Sequence, residues 1–170
     1  MKQPEFTPSD IRAVVRSCAR DVILPFYQNL QYDEIATKSG PADFVTRADE
    51  KAEDYLRTHL LNITPQAYFI GEEGVAKGRD RTQHLLDTNA RIWVADPIDG
   101  TYNFVHGSPT FAVMLAYVED GQTLYGSIYD PVCDQMTYAV RGQGAFCESE
   151  ALTLDGAQPG LADAQGYVTP

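Results

Sequence analysis

Basic residues are scarce in this chain. Lys and Arg number 13 against 24 Asp and Glu, and the formal net charge of the 170 residues is −11. Nucleic acids and anionic membranes are bound through clustered Lys and Arg, so neither is expected as a partner. Solubility alone accounts for such an acid excess, and a cation site, which needs carboxylates, is compatible with it. Cysteine is also scarce. Cys18, Cys133 and Cys147 are widely spaced and form no CxxC pair. This excludes a disulfide frame or zinc ribbon and fits a reduced, cytoplasmic protein. The opening "MKQPEFTPSD" has no apolar signal core. The longest clean apolar run, "FAVMLAYV" from Phe111 to Val118, is too short to span a bilayer.

Several catalytic signatures are missing too. "GEEGVAKGR" is not a phosphate-binding P-loop, and "GQGAFC" lacks the third glycine of a dinucleotide fingerprint. His59, His84 and His106 make no HExxH pair, and Ser108 has no G-x-S-x-G context. An EF-hand would need an oxygen ligand where Ile98 stands. Nothing points to a covalent nucleophile.

What is present is a core. Hydrophobic residues make up 44% of the chain and aromatics 11%, enough for one folded domain. Ser9 and Asp10 are candidate caps for a first helix whose apolar residues, Ile11, Val15, Cys18 and Val22 among them, recur at helical spacing as far as Pro25. The turn-rich "QYDEIATKSGPADFV" reads as a hairpin or loop carrying Lys38 and Asp43. Thr46 is the candidate cap of a second helix with Ala48, Ala52, Tyr55, Leu56 and Leu60 on one face; Asp49 and Glu50 in its first turn suit the helix dipole. "AYFIGEEG" reads as a short strand ending in two acids, and Val75 to Ala90 as a mobile polar loop with one helical turn. "RIWVADPIDGT" is a strand and turn. Thr110 to Val118, Thr123 to Tyr129 and Gln135 to Val140 then read as an antiparallel meander, with "RGQGAF" and "ALTL" as edge pieces. Helices followed by a run of strands predict an α+β fold.

Three acidic clusters carry the chemistry. In "VADPIDGTYNF", Asp96 and Asp99 lie three apart at the end of an apolar strand. A regular strand does not align such a pair, so the chain is expected to turn between them. Gly100 and Thr101 then open a helix with free amides. Carboxylates beside amides make a mixed site that a cation-bridged phosphate would satisfy. A plain turn with solvated aspartates explains the spacing as well. "GEEG" places Glu72 and Glu73 side by side, an unfavourable pair unless a cation neutralises it or one faces away. An exposed loop explains that pair alone; its repetition at two strand ends favours a site. Around "DFVTRADEK", capping accounts for Thr46 and Asp49 without any function.

Together, "KSGPADFVTRAD", "FIGEEG", "WVADPIDGTYNF" and "GQGAF" resemble, in order, four blocks of the inositol monophosphatase family of metal-dependent, lithium-sensitive phosphatases. The resemblance runs from about Lys38 to Leu154. It implies the amino-terminal half of a layered αβαβα sugar-phosphatase fold, two long helices on a mostly antiparallel sheet. Residues 1–154 would form the catalytic domain and 155–170 a flexible or truncated tail.

By the same resemblance, Glu72, Asp96 and the Ile98 carbonyl hold a first Mg²⁺, Asp96 and Asp99 share a second, and Glu73 supports a third, weaker one. Oxygen-only ligands suit Mg²⁺ or Mn²⁺ rather than zinc. The Gly100 and Thr101 amides bind phosphate, so substrate lies against Lys38, Glu72, Ile98, Asp99, Gly100 and Thr101. Glu72 and Thr101 orient the attacking water, Asp49 holds Thr101, and Lys38 lies near the metals.

The implied reaction is hydrolysis of a small phosphate monoester, with "NF" after "DPIDGT" leaning to inositol monophosphate. Histidinol phosphate, fructose 1,6-bisphosphate and a 3′-phosphonucleotide are the alternatives. Two departures stand out. Gly74 replaces the usual serine of the "GEES" block. The "WDxAAG" block, whose aspartate completes the second metal site, is absent, since no tryptophan follows Trp93. The expectation is therefore a catalytic half, with exposed apolar surface that a second copy or a carboxy-terminal half would cover. A metal-binding domain without turnover, or a purely structural module, are the competing classes.

Overall fold

The computed structural model describes residues 2–37 and 44–153. Lys38, Asp43 and the tail 155–170 lie outside the described residues. The first helix, α1 (Pro8–Cys18), starts earlier than expected. Thr7, not Ser9 or Asp10, is its cap: the Thr7 hydroxyl accepts from the Asp10 amide at 3.2 Å, and Asp10 Oδ2 accepts from the Thr7 amide at 3.0 Å. The reason is Pro8, whose fixed φ and missing N–H suit the first helical position. After Cys18 the helix widens into a π-helical turn over Ala19–Ile23, so the apolar spacing continues without the α-helical bonding.

Strands β1 (Ile35–Thr37) and β2 (Phe44–Thr46) form the expected hairpin as an antiparallel pair. Helix α2 (Arg47–Ile63) follows with Thr46 as cap; it buries Ala48, Ala52, Leu56 and Leu60 as its periodicity predicts. Strand β3 (Tyr68–Gly71) leads into a single turn, α3 (Glu72–Ala76), so the two glutamates begin a helix rather than end a strand. The rest of the segment expected to be a mobile loop holds a 3₁₀ turn at Thr82–Leu86, and its Arg79 and Asp80 are tied into ion pairs. Strand β4 (Arg91–Asp99) precedes a second short helix, α4 (Thr101–Val105). The meander follows as β5 (Ala112–Glu119), β6 (Gln122–Asp130) and β7 (Gln135–Val140), with edge strands β8 (Gly144–Cys147) and β9 (Glu150–Leu152).

β3 to β9 form one seven-stranded sheet in sequence order; β3 and β4 pair in parallel and every other pair is antiparallel. Two helices on a mostly antiparallel sheet is the α+β arrangement the sequence predicts. Along β5 burial alternates, with Val113, Leu115 and Tyr117 buried in one core with residues of α1 and α2. Trp93 of β4 is fully buried there between Phe6 and Tyr117, and its indole N–H donates to Thr64 Oγ1 at 2.8 Å. The alternate positions Val94, Met114, Ala116 and Val118 are apolar and only half-buried, and Ile128 is exposed. They give the second face of the sheet an apolar strip, part of which packs on Ile70, Ala90 and Ile92. Among the described residues, no helix is long and apolar enough to cross a membrane.

Candidate active site

The parallel pairing of β3 and β4 sets Gly71 opposite Ala95. The next residues along the chain are Glu72, the first of α3, and Asp96 of β4, so two acids follow at the same level. Asp99 joins them by an irregularity of β4. Asp96 pairs with Met114 and Asp99 with Ala112, so between these pairs two residues on β4, Pro97 and Ile98, oppose one on β5, Val113. One extra residue in a strand is a bulge, and it returns residues three apart to one face. The expected turn between Asp96 and Asp99 is therefore replaced by this bulge, with Pro97 and Ile98 buried inside it. Proline suits the position because a bulged residue need not donate to the ladder. Asp96 Oδ1 accepts from the Ile98 amide at 3.2 Å and closes a local turn.

Gly100 ends the strand at φ 92°, left-handed backbone that glycine adopts without strain. A Cβ there would lie 3.0 Å from the Thr110 carbonyl. The chain then enters α4 with Thr101 at its first position, as expected. Thr101 Oγ1 lies 3.0 Å from the Ile98 carbonyl and 3.3 Å from Asp49 Oδ1. Asp49 is buried at the start of α2, where its Oδ2 accepts from the Thr46 amide at 2.8 Å and the Thr46 hydroxyl at 2.6 Å. Capping occupies one oxygen and leaves the other facing Thr101, so a structural and a site role coexist in one carboxylate.

Glu72, Asp96 and Asp99 line one cavity of about 630 Å³, whose other walls are apolar residues such as Ile70, Val94 and Met114. Burial pushes the Asp96 carboxyl up to about 7, and the charges of Glu72, Asp99 and Asp49 push the same way against the Ile98 amide bond. Burial likewise raises Asp49, partly offset by its bonds from Thr46 and Thr101. A buried carboxyl with further acids around it marks a place where a cation would be stabilised. All donors are oxygens, which suits Mg²⁺ or Mn²⁺. The donor chemistry fits such an ion. Among the described residues, however, no three His, Cys, Asp or Glu side chains are gathered closely enough to hold one as they stand. Glu73 is buried in the α3 turn beside Glu72. Lys38, expected near the metals, is outside the described residues.

Two residues at this site carry no motif and were not singled out in the sequence. Glu53 and Asp80 are buried carboxylates whose bonds run to the amides around Glu72. A signal existed for Glu53: a glutamate on the apolar face of α2, between Ala52 and Leu56.

A family model described as the inositol monophosphatase family matches residues 9–167. An inositol-1-monophosphatase from Rhizobium meliloti is 39% identical over 150 residues, covering 88% of this chain and 51% of that protein. Inositol monophosphatase 1 from Bos taurus is 42% identical over 120 residues, covering 71% of this chain and 42% of its own length. Among solved structures, a Thermotoga maritima IMPase superposes with a TM-score of 0.72 at 29% identity, over 85% of this chain and 52% of that one. The chain thus spans about half the length of the relatives it matches.

Proposed function

The chain belongs to the inositol monophosphatase family, and from that premise we propose that it carries the metal and phosphate half of a phosphate-monoester hydrolase acting on inositol monophosphate. The observation that supports this most is the β4 bulge. It sets Asp96 and Asp99 on one face beside Glu72, lining one cavity in which burial and the neighbouring acids push the Asp96 carboxyl up.

In this reading Glu72, Asp96, Asp99 and the Ile98 carbonyl hold two Mg²⁺ ions, with Glu73 supporting a third. Bound there, Mg²⁺ or Mn²⁺ would neutralise the phosphate dianion and acidify a water for attack. The chain's own groups do the rest. Amides of Gly100 and Thr101 bind phosphate oxygens. Thr101 Oγ1 has a single proton, so it donates to either the Ile98 carbonyl or Asp49 and keeps a lone pair for an incoming water. Glu72 and Thr101 orient that water, and Asp49 fixes Thr101. By the family resemblance, Lys38 would act near the metals. The Ile98 carbonyl has two lone pairs and can accept Thr101 while it ligates.

A small phosphorylated alcohol is the substrate class. Histidinol phosphate, fructose 1,6-bisphosphate and a 3′-phosphonucleotide remain within it. The apolar second face of the sheet supports cover by another copy or by further chain, and the three free cysteines suit a reducing, cytoplasmic setting. A second reading is a metal-binding domain without turnover. What favours it is that Asp96 and Asp99 are the only two carboxylates assigned to the second ion.

The deciding experiment is phosphate release from inositol 1-phosphate by the 170-residue chain, with and without Mg²⁺, beside Asp96→Asn and the three alternative substrates. Mg²⁺-dependent release lost in the variant is the expected result. Calorimetric Mg²⁺ binding with no release establishes the second reading. Neither binding nor release by folded chain refutes both.

A further inference from the structure

Helix α3 begins at Glu72, yet its cap position is Gly71, which has no side chain to offer the free amides of the first turn. Those amides are satisfied from elsewhere. Glu53 Oε2, on α2, accepts from the Glu73 amide at 2.8 Å and the Gly74 amide at 3.2 Å. Asp80 Oδ2, beyond α3, accepts from the Gly71 amide at 2.8 Å. Every one of these bonds lands on a residue within two of Glu72.

Both carboxylates are buried, with Glu53 0% and Asp80 3% exposed, and both are charge-paired. Arg57 Nη2 reaches Asp80 at 2.6 Å and Glu53 at 3.2 Å, while Arg79 Nη2 pairs with Glu53. The Arg57 guanidinium is itself fixed over the Phe69 ring, 4.4 Å from its centre. Buried ions persist only when paired and hydrogen-bonded in this way.

The two glycines that bracket the glutamates are what let the carboxylates in. A Cβ on Gly71 would lie 2.2 Å from Glu53 Cδ, and one on Gly74 would lie 2.1 Å from Asp80 Oδ2. Any side chain at position 74, including the serine usual in the resembling block, would displace Asp80. The Gly74 carbonyl closes the loop by accepting from the Arg79 and Asp80 amides at 2.8 and 3.0 Å.

We propose that Glu53 and Asp80 are positioning residues, a buried two-carboxylate clamp on the backbone that carries Glu72 and Glu73, and that Gly74 is present to admit Asp80. The proposal rests on the reading of Glu72 as a cation ligand. Through its backbone, the clamp sets the direction in which that carboxylate leaves the sheet edge. Groups that orient ligands from behind typically change metal affinity by about 10–100-fold when removed.

The test uses the full chain with Asp80→Ala, Glu53→Gln, Gly74→Ser and the pair Gly74→Ser/Asp80→Ala. Two quantities are read: backbone amide exchange at Gly71, Glu73 and Gly74 without metal, and Mn²⁺ affinity by electron paramagnetic resonance. Asp80→Ala is expected to speed exchange at Gly71, and Glu53→Gln at Glu73 and Gly74. Each should weaken Mn²⁺ binding by about tenfold at a temperature where the variant stays folded. Gly74→Ser should behave like Asp80→Ala, and the pair should be no worse than either single change. A purely structural role would lower the unfolding temperature and leave Mn²⁺ affinity alone. Unchanged exchange at Gly71 in Asp80→Ala, or a harmless Gly74→Ser, overturns the clamp. Wild-type chain that binds no Mn²⁺ overturns the metal reading instead, and the exchange data still decide the clamp. Should Asp80→Ala not fold, Asp80→Asn, which keeps the volume and an acceptor but loses the charge, gives the same comparison of Mn²⁺ affinity.

Discussion

Asp49 offers a sharp test, because its two oxygens do different things. Replacing it with alanine removes the acceptor for the Thr46 amide, and Thr46 is only 2% exposed. A buried donor left without a partner costs about 1–3 kcal/mol. The lost reciprocal cap on α2 costs about 1 kcal/mol more. The two overlap, so Asp49→Ala should lose about 2–4 kcal/mol. At about 2–4 °C per kcal/mol for a chain of this size, that is a fall of about 5–15 °C. Asp49→Asn keeps a carbonyl oxygen for Thr46 and removes a charge that burial disfavours, so it should lose about 1 kcal/mol or less. Urea unfolding followed by fluorescence of Trp93, the chain's single tryptophan, reads both variants on one scale. Equal losses for Ala and Asn, or an Ala loss under about 0.5 kcal/mol, would refute the assignment of Oδ2 to the cap.

Glu148 bridges α1 to the strands by accepting from Arg16, Arg12 and the Met136 amide. Burial pushes its carboxyl up, but those bonds and charges outweigh burial and hold it below its ordinary 4.5. A lowered folded value means stability present above pH 4.5 and lost as pH falls through the folded value, so urea stability should drop less steeply below that pH in Glu148→Gln than in wild type. Gly100→Ala forces a Cβ into left-handed backbone 3.0 Å from the Thr110 carbonyl and should lose about 1–3 kcal/mol by thermal unfolding; an unchanged midpoint would show that the turn after Asp99 is not constrained. Thr64→Val leaves the buried Trp93 N–H without its acceptor and should lose about 1–3 kcal/mol in calorimetric unfolding. A loss within error would mean that the indole finds another partner.

The helices and meander strands were legible because their signals are local. Apolar spacing located α2 and β5 to within a residue or two, and Thr46 and Asp49 announced a cap. Where the sequence reading went astray, a neighbouring residue or distant chain had the deciding say. Ser9 is a good cap by composition, but Pro8 claims the first helical position and hands the cap to Thr7. Asp-Gly promised a turn after Asp96, yet Asp96 and Asp99 both pair with β5 across one extra residue, which only the pairing reveals. Gly71 carries no local signal, and Gly74 stands out only as a departure from the serine of the resembling block. Their meaning lies in side chains 18 and 6 positions away, Glu53 and Asp80, which occupy the space a Cβ would need. The acids of the site were legible as pairs, but not that they share one cavity, since proximity across strands is a property of topology.

Topology also explains why the site sits where it does. Among the described strands only β3 and β4 run parallel. Parallel neighbours deliver their carboxyl ends to the same edge, so Glu72 and Asp96 emerge side by side. Had β3 paired antiparallel, Glu72 would leave from the opposite end of a four-residue pairing, about 13 Å away at 3.3 Å per residue. A parallel pair in turn requires a long crossover, here residues 72–90. That crossover is the segment that brings Arg79 and Asp80 back onto α2 beside Glu53. The connection demanded by the sheet thus also supplies the carboxylate that anchors Gly71, the residue from which the glutamate pair departs. Shape and charge are coupled here: lengthening the crossover after Asp80 should be tolerated, whereas an insertion between Ala76 and Arg79 should release Glu72 and Glu73 together.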